Sequence, residues 1–485
     1  MKNLLILVAL LLAQMAFAQP EKAKMINEEF KNGEQAMLEK KYQQALRSFN
    51  RVLKIEPKFI PALRAAGTCY ELLGNHQEAL SSYFKVLSQD PYFSRIIYYE
   101  IGRTYYRLGS YHNALDYFSQ FIGLQKLENQ HFGLAVEREL QQEQLYLQDV
   151  AQSILACQVS IDSIQYLNIA EVINIGPAIN TKADEYFPFV SNDNFLLFYT
   201  RRKSVEQDED LFVSVATENY WQAASPVVGF NSRNNEGMGT FVRNGRQLYF
   251  TACERENVMG TCDIWEAKVE GKKVTKTAIP EGYLNSERWE SQACISCDGN
   301  VIYFASNREG GLGGTDIWRC KKLADGSWSA AENMGPHINT PYDEEAPFIT
   351  NDGKMLYFSS TGHFGLGEED IYFSRLQTNG YWSKARNLGQ PVNTASRELG
   401  FFLSADGKTG YFASDRSGGY GGMDIYKFNL SAQLMSDPIT FVEGVVKDAD
   451  FKLPVVTTVK IPNRLPITTD ERGRFFCVLP CQSAP

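Results

Sequence analysis

The stretch Asn339-Thr340-Pro341-Tyr342-Asp343-Glu344-Glu345-Ala346-Pro347-Phe348-Ile349-Thr350-Asn351-Asp352-Gly353-Lys354-Met355-Leu356-Tyr357-Phe358 holds two short apolar runs around Asp352-Gly353. Such a dipeptide between apolar strands marks a tight hairpin, because the turn needs φ > 0. The frame recurs along the chain. Asn180, Asn231, Asn285, Asn339 and Asn393 are each followed by Thr or Ser, and five residues later by Glu185, Glu236, Glu290, Glu344 and Glu398, at spacings of 51, 54, 54 and 54. Thirteen residues after each Glu stands an aromatic pair: Phe198-Tyr199, Tyr249-Phe250, Tyr303-Phe304, Tyr357-Phe358 and Tyr411-Phe412. An Asp with an apolar partner follows 25 to 27 residues after each Glu, at Asp210, Asp263, Asp316, Asp370 and Asp424. The turn dipeptide is Asp298-Gly299 and Asp406-Gly407 in two further copies and Asn244-Gly245 in the second, while Asn194 replaces the turn Gly in the first.

Each copy reads as strand, turn, strand, Gly-rich loop, strand. A four-stranded unit of about 54 residues, repeated radially, predicts a β-propeller. Trp328, Gly335 and Asn339, like Trp382, Gly389 and Asn393, end a copy with a short outer strand, and nothing comparable follows the fifth. A segment of that kind, Val172-Ile173-Asn174-Ile175-Gly176, precedes the first copy instead. It is expected to supply the outer strand of the last blade, which closes five blades with no repeat left over; six is the alternative. A residue repeated around a ring reads as a hydrogen-bond anchor inside each blade, so the five Glu and five Asp are taken as structural. Gly310-Gly311-Leu312-Gly313-Gly314-Thr315-Asp316 looks like a calcium nonapeptide, but those stack every nine residues and this one recurs at 54. No G-x-S-x-G nucleophile elbow is present. Glu344-Glu345-Ala346-Pro347, the turns and Gly418-Gly419-Tyr420-Gly421-Gly422-Met423-Asp424 together resemble the TolB-type propeller repeat, a WD40-like (PD40) motif.

Upstream the period changes. Gly33, Gly67 and Gly102 recur at 34 and 35 residues, as do Ala45, Ala79 and Ala114; Phe49, Tyr83 and Phe118 keep the phase, and Pro57 and Pro91 are 34 apart. Small residues suit close helix approach, the aromatic fills the gap between hairpins, and Pro stops the second helix. The pattern resembles the tetratricopeptide repeat, with three units over about residues 25–126 and an amphipathic capping segment at about 131–157. By the register that this resemblance implies, the concave face carries Arg64, Tyr99, Arg103, Tyr106 and Arg107. Two readings stand: a groove for a protein ligand, or a solvated face that spaces domains. Arginine and tyrosine are good interface anchors. The Asn pair of a carboxylate clamp is missing.

Met1-Lys2-Asn3, an apolar run from Leu4 to Leu12 and Ala16-Phe17-Ala18 make a secretory signal peptide, with cleavage expected after Ala18. No Cys lies near that point, the first being Cys69. Nine Cys in an exported chain are sparse for a disulfide framework, and Cys294-Ile295-Ser296-Cys297 lacks metal partners. One bridge is expected. Cys253 ends the second strand of copy two and Cys262 precedes the third, and facing antiparallel positions have Cβ atoms about 4.5–5.5 Å apart. The 485 residues exceed a single domain, 44% are apolar, and the net charge of −9 argues against nucleic-acid partners. Five scattered His leave little for metal or general-base chemistry. Residues 441–485 resemble the start of the small β-sandwich related to the carboxypeptidase regulatory domain, too short for a full core, so the chain is read as truncated.

The expected organisation is therefore a signal peptide (1–18), a tetratricopeptide solenoid (25–157), a five-bladed propeller (166–430) and a partial sandwich (441–485). This order resembles Bacteroidetes envelope proteins that end in an OmpA-like peptidoglycan-binding domain, among them the PorE-like family of type IX secretion. That resemblance implies a periplasmic, outer-membrane-associated scaffold that recruits partner proteins; from the residues themselves no catalytic group, metal or cofactor is expected. Its expected partners are envelope or secretion-system proteins, with peptidoglycan only through an OmpA-like domain. The alternative is a glycan-binding or glycan-processing propeller, for which Arg201-Arg202-Lys203, Glu254-Arg255-Glu256 and Glu368-Glu369 are the loop candidates.

Overall fold

A computed structural model describes residues 20–480 apart from 135–136, 168, 170, 192–193, 204–207, 218–219, 228–229, 243–246, 256–257, 271–272, 405–406, 433, 436–438, 461–466 and 470–471. The proposed signal peptide and the turn at Asn244-Gly245 therefore lie outside the described residues. Contacts divide the chain into two units, Met1–Asp162 and Ser163–Pro485.

The first unit is helical. Its elements are α1 (Pro20–Leu38), α2 (Tyr42–Ile55), α3 (Ile60–Leu72), α4 (His76–Gln89), α5 (Ile96–Arg107), α6 (Tyr111–Leu124) and, after a short 3₁₀ turn at Asn129–His131, α7 (Glu137–Leu167). The first six pack as three hairpins, α1 with α2, α3 with α4, and α5 with α6. The repeated small residues sit where the helices meet. Ala45, Ala79 and Ala114 are fully buried, and a Cβ placed on Gly33, Gly67 or Gly102 would lie 2.5, 2.6 or 2.7 Å from the ring of Phe49, Tyr83 or Phe118. Pro57 and Pro91 stand two residues beyond the ends of α2 and α4, where neither helix could have continued. Gly67→Ala is expected to cost about 1–3 kcal/mol, since Tyr83 is fully buried, with its hydroxyl held by Glu71 at 3.1 Å, and has nowhere to retreat. A urea titration followed by helical circular dichroism measures this; an unchanged midpoint means that the ring yields.

The second unit contains five four-stranded antiparallel sheets among the described residues. Blade 1 is Asp184–Val190, Leu196–Arg202, Glu209–Val215 and Ser225–Pro226. Blade 2 is Glu236–Phe241, Gln247–Cys253, Cys262–Glu270 and Lys273–Ala278. Blade 3 is Glu290–Ile295, Val301–Ser306, Asp316–Lys321 and Glu332–Asn333. Blade 4 is Glu344–Ile349, Met355–Ser360, Asp370–Arg375 and Arg386–Asn387. Blade 5 is Glu398–Leu403, Thr409–Ser414 and Asp424–Asn429, and its outer strand is Val172–Asn174, paired Val172 to Phe428 and Asn174 to Tyr426. The chain thus closes its own ring with five blades, and the first strands of successive blades contact one another around the centre.

Every first strand is bent by a β-bulge two residues after its Glu. There the backbone takes positive φ, at Phe187 (51°), Met238 (23°), Gln292 (57°), Ala346 (50°) and Gly400 (69°). Only the last is glycine, so the ring imposes a left-handed conformation on four side-chain-bearing residues. Asn194 in the first hairpin turn also has positive φ (56°), matching Gly299 (75°), Gly353 (71°) and Gly407 (72°). In blade 2, Cys253 faces Cys262 across the ladder and the two form a disulfide. After the propeller, Ile439–Val445 pairs with Arg474–Pro480 and Thr458–Val459 with Ile467–Thr468. No helix among the described residues is long and apolar enough to cross a membrane.

Candidate functional site

The residues assigned to the concave face come from two helices, Arg64 from α3 and Tyr99, Arg103, Tyr106 and Arg107 from α5. They do not form the exposed groove expected of them. The upstream half of α7 lies over Arg64, Tyr99 and Arg103. Arg64 donates to Glu100 on α5 at 3.0 and 3.2 Å and to Glu139 on α7 at 2.7 Å. Burial alone would weaken the charge of that guanidinium, but Glu100 and Glu139 hold it charged more firmly than usual. Tyr99 is buried, stacks on Tyr146 of α7 with ring centroids 4.1 Å apart and donates its hydroxyl to Asp149. Arg103 forms a two-pronged pair with Glu71 at 2.7 and 3.0 Å and lies 5.5 Å from the Tyr146 ring centre. Tyr106 packs edge-on against Tyr111, and Arg107 remains exposed. The physical reason for the difference is charge. Arginines that are largely shielded at 64 and half-buried at 103 need carboxylates, and α7 supplies one of them directly.

One residue was not anticipated from the sequence. Arg95, at the start of α5, is buried and donates to Glu143 of α7 at 3.3 Å, to Asn129 at 2.7 Å and to the carbonyls of Leu124 and Leu127. Glu139, Glu143, Tyr146 and Asp149 are spaced for one helical face, and that periodicity was the available signal. Beside these turns a cleft of about 310 Å³ remains, lined by Phe30, Met37, Phe93, Leu134, Glu139 and Tyr146 among others.

In the propeller the repeated polar residues bind the blades together. Each Asn clasps the third strand of the preceding blade through both backbone groups: Asn231 on Leu211, Asn285 on Ile264, Asn339 on Ile317, Asn393 on Ile371, and Asn180 on Ile425. Glu185, Glu236, Glu290, Glu344 and Glu398 are fully buried, and each accepts from the backbone N–H and hydroxyl of the Thr or Ser after the Asn. Arg201, Arg255, Arg308 and Arg416 pair with four of them. These arginines also donate to a backbone carbonyl at 2.5 to 3.3 Å, and in blade 4 His363 takes that place on Ile338 at 2.7 Å. Asp263, Asp316, Asp370 and Asp424 each accept two backbone N–H groups of the loop before them. Asp210 is half-buried beside Arg201, and part of its loop lies outside the described residues.

Of the loop candidates for glycan chemistry, Arg201, Arg202, Arg255 and Glu369 are committed to other contacts, while Lys203, Glu254 and Glu368 are exposed. Arg201 and Arg255 belong to the buried pairs above, Arg202 pairs with Asp184 at 3.2 Å, and Glu256 lies outside the described residues. Glu369 is buried and bonded to Arg397 at 3.2 Å. Burial, then the neighbouring Glu345, raise its carboxyl to about 7 against the opposing pull of Arg397. A carboxyl that binds its proton more tightly when folded favours the folded state at low pH. Its contribution is lost as pH rises from about 4.5 to 7. Glu369→Gln is therefore expected to flatten that part of the stability profile by about 3 kcal/mol, read from urea midpoints between pH 4 and pH 8. An unchanged slope removes Glu369 as its source.

Comparison with known proteins covers both units. A tetratricopeptide repeat model matches residues 97–126, the third hairpin and its exit. No curated protein matches. Among solved structures, a TolB protein of Agrobacterium tumefaciens is 13% identical, covering 54% of this chain and 90% of its own, with a TM-score of 0.34. The Yersinia enterocolitica type III secretion chaperone SycD, in complex with a peptide of the translocator YopD, is 12% identical over 28% of this chain and 94% of its own, with a TM-score of 0.24. The tetratricopeptide domain of Sgt2 from Aspergillus fumigatus is 20% identical over 28% of this chain and 83% of its own, with a TM-score of 0.20. The chain is thus a tetratricopeptide-type helical array followed by a five-bladed propeller.

Proposed function

We propose that this protein is an exported, non-enzymatic scaffold of the cell envelope that holds partner proteins, on the helical array first and on the propeller as a second platform. The observation that carries this reading is the fate of the polar repeats. The conspicuous carboxylates and arginines of the propeller are spent in hydrogen bonds and ion pairs within and between blades, which leaves surfaces rather than a reaction centre. Arrays of the tetratricopeptide type serve protein recognition, and a propeller is a rigid platform. The leader-like segment from Met1 to Ala18 supports export. The resemblance to Bacteroidetes envelope proteins narrows the setting to the periplasmic side of the outer membrane, in type IX secretion or envelope biogenesis.

The test is cross-linking of the tagged chain in its native cells, followed by fractionation and mass spectrometry of the captured material. The reading expects a mature N-terminus at Gln19, recovery with the envelope, and a reproducible set of cross-linked proteins. Intact Met1 in cytosolic material, or capture of small glycans in place of proteins, overturns it.

A further inference from the structure

The concave face is covered by part of the same chain, and the covering segment shows what kind of surface fits there. Glu139, Glu143, Tyr146 and Asp149 stand at positions i, i+4, i+7 and i+10 of α7, along one helical face. They meet Arg64, Arg95 and the Tyr99–Arg103 pair in that order. With α7 lifted away, Arg64 and Arg95 lose the carboxylates of Glu139 and Glu143, while Glu71 and Glu100 remain buried on the face and Glu34 lines the cleft beside it, so the vacated positions favour an acidic occupant. The two halves of α7 are held differently. Val150 and Cys157 are buried in an apolar cluster with Tyr99, Tyr111, Phe118 and Phe121, against which Tyr146 and Leu147 also pack, whereas Glu139, Glu143 and Asp149 are held by ion pairs and hydrogen bonds. Beside the polar half lies the cleft of about 310 Å³, with apolar walls at Phe30, Met37 and Phe93.

We propose that the concave face is a receptor for an amphipathic helix of a partner protein bearing the pattern acid-x₃-acid-x₂-aromatic-x₂-acid, and that residues 139–149 of α7 are a resident stand-in which that helix displaces. This rests on the reading of the array as a protein-binding platform. The apolar anchor at 150–157 keeps α7 tethered while its upstream turns exchange, so release does not require the array to unfold. Recognition is by a helix in a groove, with charge setting the register and the ring supplying apolar area.

The test uses the full chain and a fluorescein-labelled synthetic peptide of residues 137–152 as the probe, read by fluorescence anisotropy. Glu139→Ala with Asp149→Ala weakens the stand-in and is expected to tighten peptide binding at least tenfold over the unaltered chain. That binding is expected to weaken several-fold between 50 and 300 mM salt because the recognising charges are screened. A peptide with lysine at the three acidic positions is expected not to bind. Equal affinity for the altered and unaltered chains, or equal binding of the lysine peptide, overturns the proposal. Should the double variant fail to fold, amide exchange of the unaltered chain decides. Residues 139–149 exchanging at least tenfold faster than α4 supports exchangeable turns, and equal protection overturns them. Failure here with protein cross-links still forming in cells leaves the scaffold reading intact and moves recognition to another surface.

Discussion

Arg64→Ala is expected to destabilise the helical unit by about 3–5 kcal/mol, the range for removing one partner of a buried ion pair. Its side chain is 14% exposed, and Glu100 and Glu139, which it joins, are 7% and 13% exposed. Without the guanidinium, two carboxylates face each other at short range with little water to screen them. Since whole domains are stable by only about 5–15 kcal/mol, the change is expected to lower the urea midpoint and the melting temperature sharply. Arg107→Ala serves as the control, because an exposed substitution usually changes stability by no more than about 0.5 kcal/mol. Converting all three partners to apolar residues, Arg64→Met with Glu100→Leu and Glu139→Leu, is expected to recover most of the loss. That recovery separates the cost of a stranded charge from the worth of the contact. A single Arg64→Ala variant as stable as the original chain removes the ion-pair account of how α7 is held.

The second large effect is expected at the propeller. Glu398→Ala strands the N–H and hydroxyl of Thr394, the hydroxyl of Ser414 and the guanidinium of Arg416, all of which donate to that carboxylate. Loss of about 3–5 kcal/mol follows for a fully buried site that leaves a cation behind. The five blades provide an internal comparison. Blade 4 carries His363 where the others carry arginine, so Glu344→Ala strands no guanidinium and is expected to cost less than Glu398→Ala. Urea unfolding followed by the fluorescence of the buried Trp318 and Trp328 reads both variants. Equal losses at the two positions would mean that the arginine is not the dominant partner.

The ring was legible because its spacing is nearly constant and its residues do one job five times. Asn, Thr or Ser, Glu and Asp must keep their offsets to reach the same backbone groups, so counting positions was enough to find blade number, turn position and the closing strand. The bulges were not legible. Phe187, Met238, Gln292, Ala346 and Gly400 share a backbone conformation and no side-chain property, and four of them are residue types that rarely adopt it alone. The helical hairpins were legible for the opposite reason, since Gly102 and Phe118 make a steric pair that few other residues could make. The covering of the concave face escaped notice because its partners are distant in sequence. Arg64 and Glu139 are 75 residues apart, and an arginine on a helix face looks the same whether it meets water or a carboxylate.

Ring closure also has a schedule. Asn174 donates to Asp424, a residue 250 positions later, and Asn180 waits for Ile425. At about 5–20 residues per second of synthesis, the early half of that clasp emerges roughly 12–50 s before its mate exists. Until the last blade is made, the nascent ring leaves two blade faces uncovered, at the first blade and at whichever blade was last completed, and exposed apolar faces are an aggregation liability. The final seam is thus a matter of timing as well as of bonding, and a stall in translation shortly before Asp424 leaves Val172–Asn174 without the strand that completes its sheet.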